Sequence, residues 1–128
     1  MRSSLVFILF LLILIPLVGC NRKTEPPPIT QKVGGTVVFK DAKPFSGGGT
    51  IEFRHETKSG ATAISGILPD GKFDLFTMTA QHKVPGAQEG SYTVTITPAS
   101  EDQNVQPINI KKKYVIAVGE NELTVVID

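Results

Sequence analysis

Short runs of alternating apolar and polar residues, separated by turn-forming residues, dominate the chain from Lys32 onward. In the most regular run, Tyr92, Val94 and Ile96 alternate with threonines. An apolar residue at every second position is the period of a β-strand with one buried face, whereas a buried helix face repeats every 3.6 residues. Since no stretch of the body sustains the helical period, the sequence predicts a domain built of strands.

Seven such runs can be placed between residue 32 and residue 128. We predict strands at residues 33–39, 50–55, 61–67, 72–77, 91–97, 114–118 and 122–127. The clearest turn is Pro69-Asp70-Gly71, because Asp-Gly tolerates the positive φ angles of tight hairpins. About seven short strands with frequent turns predict an all-β fold, a single antiparallel β-sandwich. The predicted core residues are Phe39, Phe53, Phe73, Tyr92 and Val125.

The first 19 residues differ from this body. Every residue from 5 to 18 is apolar, with Arg2 before the run and Gly19-Cys20 after it. A positive start, an apolar middle and a small-residue end are typical of a secretory signal peptide, which we expect at 1–19 as a helix that is later removed. A transmembrane helix is the alternative, but a span needs about 20 apolar residues. This run is shorter and contains Pro16.

The end of the apolar run, Leu17-Val18-Gly19-Cys20, resembles the lipobox of bacterial lipoprotein signal peptides. The resemblance implies that signal peptidase recognises Leu17, Val18 and Gly19 and cleaves before Cys20. The Cys20 thiol then carries a diacylglyceryl group, and its new amino group is acylated, for example with palmitate. Cys20 is the only cysteine. Because one acyl chain anchors marginally and two or three anchor firmly, we expect the protein on the cell membrane or outer membrane, facing the periplasm or exterior.

Residues 20–31 separate the lipidated cysteine from the body. The segment is polar and contains Pro26-Pro27-Pro28, which favour extended polyproline II. At about 3 Å per residue, a free spacer of this length would hold the body on the order of 30 Å from the lipid. The expected organisation is therefore a signal peptide at 1–19, a lipidated cysteine and tether at 20–31, and a β-sandwich at 32–128.

The body carries a series of short motifs, in chain order Val33-x-Gly35-x-Val37, Pro44-Phe45, Ile51-x-Phe53, Asp70-Gly71-x-Phe73-x-Leu75, Gly86-Ala87, Gly90-x-Tyr92-x-Val94, the segment from Pro107 to Tyr114 and Gly119-x-Asn121. Their order and spacing resemble carboxypeptidase-regulatory-like domains, and the last two are similar to the small lipobox-bearing members of the planctomycete type. The resemblance implies a transthyretin-like, Greek-key β-sandwich that lacks catalytic residues.

Two histidines are the weak candidates for a metal site, His55 and His82. A metal needs several converging ligands, so we expect both to be exposed polar residues and we predict no cofactor. A calcium site could be suspected from acidic side chains, but they lack the EF-hand spacing; these are Asp70, Asp74, Glu101 and Asp102. Tyr114 is the one tyrosine that alternation leaves free for stacking on a sugar.

The charge balance argues against nucleic-acid binding. Leaving Arg2 aside, basic and acidic side chains are equal in number, at 12 each, whereas nucleic acids require a basic face. We interpret Lys111-Lys112-Lys113 as a solvated loop or an edge strand protected from aggregation, with binding of an anionic polymer as the alternative. The sequence thus predicts a lipid-anchored, non-enzymatic envelope module that contacts an envelope protein or polysaccharide. An accessory role in binding a small ligand, a carbohydrate or a metal is the alternative, and the oligomeric state stays open.

Overall fold

The computed structural model describes residues 19–20, 23–58, 61–102 and 104–128. In these residues every regular element is a strand, so the all-β prediction is confirmed. The predicted signal-peptide helix, including Leu17 and Val18, lies outside the described residues. The strands are β1 (Lys32–Phe39), β2 (Thr50–His55), β3 (Thr62–Gly66), β4 (Lys72–Asp74), β5 (Phe76–Met78), β6 (Lys83–Pro85), β7 (Gly90–Thr97), β8 (Ile108–Ile116) and β9 (Glu120–Ile127).

The strands form two sheets. One has three strands in the order β4-β1-β9, and the other has six in the order β6-β5-β3-β2-β7-β8. Aromatic rings from the two sheets meet between them, with the ring centroids of Phe53 on β2 and Phe73 on β4 separated by 5.9 Å. A single buried apolar cluster draws on both sheets, and this arrangement is consistent with a β-sandwich.

One strand pair contradicts the prediction of a purely antiparallel sandwich. The first and last strands, β1 and β9, are parallel, in register from Lys32 opposite Glu120 to Phe39 opposite Ile127. Parallel neighbours need a long crossover connection, and here the whole intervening domain supplies it. Side chains alternate with a period of two residues in parallel and in antiparallel strands alike. The sequence pattern of a strand therefore does not show in which direction its neighbour runs.

The strand predicted at 72–77 is divided between the two sheets. Its first part, β4, pairs with β1, and its second part, β5, pairs with β3. Leu75 lies at the crossing point, buried, where its N–H donates to the carbonyl of Val33. A further short strand, β6, lies between the strands predicted at 72–77 and 91–97, where no strand was predicted. These two differences give nine described strands instead of about seven.

Four of the five predicted core residues are buried: Phe53, Phe73, Tyr92 and Val125. The prediction for Phe39 is wrong, since this side chain is 41% exposed. Phe39 ends β1, and the chain then turns back so that the Phe45 N–H donates to the Val37 carbonyl. Phe45 takes the buried position, at 6% exposure, and Phe39 packs edge-on against its outer side.

The three lysines at 111–113 lie within β8, an edge strand of the six-stranded sheet, as one of the two interpretations predicted. Tyr114 pairs with Tyr92 and Ile110 pairs with Val94, so the lysines form a bulge opposite a single residue of β7. All three are exposed. A bulge that carries lysines prevents another strand from adding to the edge.

Candidate functional site

Cys20, the predicted lipidation site, is exposed and not bonded to another cysteine. Gly19 before it is also exposed, and a methyl group added there would meet no atom within 4 Å. The two residues that flank the predicted cleavage site are therefore both exposed. In the described part of the chain, no helix is long and apolar enough to cross a membrane.

The tether contacts the β-domain well before β1 begins. The N–H of Glu25 donates to Oε1 of Gln81 at 3.1 Å, and Oγ1 of Thr30 donates to the carbonyl of Pro85 at 2.7 Å. These contacts join residues more than 50 positions apart in the chain. The segment from Glu25 to Thr30 thus lies alongside β6, the edge strand of the larger sheet.

The last tether residue, Gln31, is held more closely. Its N–H donates to the carbonyl of Ala87 at 2.7 Å, and its own carbonyl accepts the Ala87 N–H at 3.0 Å. Its side-chain Oε1 accepts the N–H of Gly119 at 2.9 Å. Gly86 makes this approach possible, because a Cβ there would lie 2.0 Å from the Gln31 carbonyl oxygen. The expectation of a free spacer therefore does not hold for residues 25–31.

His82 forms a hydrogen bond to Glu25, the first residue of the bonded segment 25–31. Its Nε2 lies 2.9 Å from the carbonyl oxygen of Glu25. The short turn before β6 positions the ring, because Oγ1 of Thr79 accepts the His82 N–H at 2.9 Å and the His82 carbonyl accepts the Thr79 N–H at 2.8 Å. His82 is half-buried, and its Nε2 is engaged by the backbone of the tether.

His55 is only 8% exposed, so the expectation that it is an exposed polar residue is wrong. Its Nδ1 accepts the backbone N–H groups of Thr57 and Lys58, each at 3.1 Å. A nitrogen that accepts cannot carry a proton, so the other nitrogen, Nε2, donates to the carbonyl of Glu89 at 3.1 Å. The ring also packs edge-on against Tyr92, with centroids 4.9 Å apart. The ring therefore joins the turn after β2 to the segment just before β7.

The structure does not bring the two histidines together. The His55 N–H donates to Ala61 just before β3, Thr62 pairs with Met78 on β5, and Thr79 bonds to His82. The two histidines thus lie at one level of the sheet but three strands apart, about 14 Å between backbones. Among the described residues, no three histidine, cysteine or acidic side chains converge as metal ligands would.

One pair of carboxylates does converge, on the outer face of the smaller sheet. Gly34 pairs with Asp74 on one side and with Glu122 on the other. A Cβ at Gly34 would lie 2.7 Å from Oδ1 of Asp74 and 3.6 Å from Oε2 of Glu122. Asp74 and Glu122 line an open cleft of about 400 Å³. In the same cleft, Nζ of Lys32 forms an ion pair with Oε1 of Glu120 at 3.5 Å. Sequence reasoning named Asp74 but missed Glu122, since only strand register makes them neighbours.

The other acidic candidates lie in separate turns. Oδ1 of Asp70 accepts the N–H of Lys72 at 3.1 Å, which closes the turn between β3 and β4. Glu101 and Asp102 are exposed, in the connection before β8, and the Asp102 N–H donates to Oγ of Ser100. Each of these residues has a local structural role or faces solvent.

Tyr114, the tyrosine considered for sugar stacking, is 5% exposed. Its hydroxyl accepts the N–H of Val126 at 3.3 Å, which joins β8 to β9. The residue is therefore part of the core and offers no open ring face.

In the lysine bulge, Lys113 forms an ion pair with Glu56. The pKa of Glu56 is lowered from its usual 4.5, mainly because Lys113 donates a hydrogen bond to the charged carboxylate. A hydrogen bond from the Ser91 side chain is the second cause. One of the three bulge lysines thus has an acidic partner within the domain.

We compared the chain with models of known protein families, with curated proteins and with solved structures, and none of the three comparisons found a match. Function is therefore inferred from the residues of the chain itself.

Proposed function

We propose that this protein is a bacterial lipoprotein whose β-domain has a structural or binding role in the cell envelope and no catalytic activity. The observation that carries the proposal is the position of the only cysteine. Cys20 follows Leu17-Val18-Gly19 at the end of an apolar run, and it is exposed. Lipid on Cys20 makes the membrane the first partner, and an envelope protein or a polysaccharide is the second.

The hydrogen bonding of His55 supports a non-catalytic role. A general base needs a free nitrogen within hydrogen-bond reach of its substrate. Both ring nitrogens of His55 are engaged by backbone groups. In His82, the tether engages Nε2. The same contacts, and the separation of the two rings, disfavour the alternative of an accessory metal-binding lipoprotein that uses these residues.

For the fold, we propose a Greek-key, transthyretin-like sandwich of the carboxypeptidase-regulatory-like kind. Two motif positions support it. Asp70-Gly71 forms the tight turn that joins β3 to β4, with Gly71 at φ 82°. The segment Gly90-x-Tyr92-x-Val94 begins β7, the strand next to β2 in the larger sheet, with Tyr92 and Val94 buried.

Metabolic labelling with a clickable fatty acid tests the lipidation directly. In the native cell, the wild-type chain should incorporate the label on the mature protein, and Cys20→Ser should incorporate none. Ser46→Ala, a change of comparable size at an exposed position of the body, is the matched control and should label like wild type. Equal labelling of wild type and Cys20→Ser would contradict the proposal.

A further inference from the structure

The contacts of the tether limit how far the β-domain can lie from a lipid on Cys20. Residues 25–31 are bonded to the domain at Gln81, His82, Pro85 and Ala87. Only the steps from Cys20 to Glu25 remain to bridge lipid and domain. Five residues of extended chain span at most about 18 Å, so the domain must lie close to the membrane surface.

The first described tether residue after Cys20 that is bonded to the domain is Glu25, and the hairpin that joins β5 to β6 holds it. In the turn of this hairpin, Gln81 and His82 both form hydrogen bonds to the backbone of Glu25. We define the anchor hairpin as residues 78–83. It ends β5 and begins β6 at the edge of the larger sheet.

The anchor hairpin has the composition of a surface that rests on lipid headgroups. It exposes Met78, at 47%, together with Ala80 and the ammonium-bearing Lys83. No aspartate or glutamate occurs between residues 75 and 88. Lys23 in the tether is also exposed, and its charge balances that of Glu25. Lysines attract anionic headgroups, and a thioether side chain tolerates the apolar boundary.

We propose that the anchor hairpin lies on the headgroup layer of the membrane that holds Cys20, and that the β-domain is thereby oriented rather than free to rotate at the end of a spacer. The proposal rests on the lipidation proposed above. It commits to an anionic lipid surface as the occupant of this hairpin. The glycine loop at residues 46–49 then faces away from the membrane.

The position of the glycine loop follows from β3. Thr62 at the start of β3 pairs with Met78 of the anchor hairpin, and Ile67, just past its end, bonds to the Gly49 carbonyl. Four residues of strand cover about 13 Å. Ser46 in this loop is exposed, so it provides a reference position at the opposite end of the sheet.

The test compares two single-cysteine labels in the full, acylated chain. Ala80→Cys places a thiol on the anchor hairpin, and Ser46→Cys places one on the glycine loop. In acylated protein the Cys20 sulfur is a thioether, so the introduced thiol alone reacts with a donor dye. The labelled proteins are reconstituted in vesicles with anionic phospholipid and a headgroup-labelled acceptor lipid, and energy transfer is measured.

We expect transfer to be about twofold more efficient from position 80 than from position 46, because the two labels differ in height by more than about 13 Å. Lys83→Glu should lower the transfer from position 80. Equal transfer from both positions, or stronger transfer from position 46, overturns the contact. The lipid contact is also overturned if the dye at position 80 becomes protected from solvent only when envelope proteins are added. That result would assign the hairpin to a protein partner.

Intact mass, measured before labelling, separates the two proposals. A wild-type chain without acyl mass overturns the lipidation, and the hairpin contact with it. An acylated chain with equal transfer at both positions overturns the hairpin contact and leaves the lipidation standing.

Discussion

Replacing His55 by alanine removes a buried hydrogen-bonding group from the end of β2. The imidazole makes three backbone hydrogen bonds, to Thr57, Lys58 and Glu89. The N–H groups of Thr57 and Lys58 share the one lone pair of Nδ1, so together they count as little more than one bond. At about 1 kcal/mol net for each full bond, the hydrogen bonds contribute about 2 kcal/mol, and the lost edge-on contact with Tyr92 adds about 1 kcal/mol. His55→Ala should thus lower the free energy of unfolding by about 3 kcal/mol, a large part of the roughly 5–15 kcal/mol of a typical domain.

Two conservative variants distinguish the hydrogen bonds of Nδ1 from the hydrogen bond of Nε2. Asparagine at position 55 can place an acceptor oxygen near the site of Nδ1, so His55→Asn should keep the bonds from Thr57 and Lys58. Glutamine can place a donor near the site of Nε2, so His55→Gln should keep the bond to Glu89. The expected order of stability is wild type, His55→Asn, His55→Gln and His55→Ala, measured by urea denaturation of the mature chain carrying Cys20→Ser.

A structural role for His55 is refuted by a loss below about 1 kcal/mol in His55→Ala, the value of a single bond. Glutamine restoring full stability while asparagine behaves like alanine would contradict the assignment of Nδ1 as the acceptor. A zinc titration adds an independent readout. If Zn²⁺ raises the denaturation midpoint of wild type and not that of His55→Ala, the imidazole binds metal and the structural account is wrong.

Three further outcomes follow from the packing and the charges. Phe53→Ala should cost about 3–5 kcal/mol because the ring is fully buried, whereas Phe39→Ala, at a 41% exposed position, should cost much less; urea denaturation that ranks them equally would contradict the core described above. Gly35→Ala should prevent β1 from pairing with β9, since a Cβ there lies 2.0 Å from a backbone oxygen of β9, and circular dichroism should report loss of strand signal. The lowered pKa of Glu56 makes its ion pair with Lys113 stabilising above the usual value of 4.5 and progressively lost as pH falls below it. Stability curves should therefore be less steep with acid in Glu56→Gln than in wild type, and parallel curves would show that the pair contributes nothing.

Strand alternation was the most informative signal in the sequence. Tyr92, Val94 and Ile96 were predicted to share a face, and all three are buried. The same signal gave the wrong position for Phe39, because it does not show where a strand leaves the sheet. It also cannot show direction, so the parallel pairing of β1 with β9 was not predictable from it.

The contacts that bind the tether to the β-domain join residues far apart in the chain, so local sequence patterns do not predict them. His82 meets Glu25 across 57 positions, and Gln31 meets Gly119 across 88. Composition indicated a polar, proline-rich spacer, and composition alone cannot distinguish a free segment from one bound along a sheet edge. Gly86 was the one available signal, since glycine is required where two backbones come this close.

The most direct test of the central claim is the intact mass and membrane fractionation of the native protein beside Cys20→Ser. Wild type should begin at Cys20, carry the added mass of two or three acyl chains, and sediment with membranes. The Cys20→Ser chain should lack that mass and either retain residues 1–19 or appear in the soluble fraction. A wild-type chain that is unmodified and soluble would contradict the account.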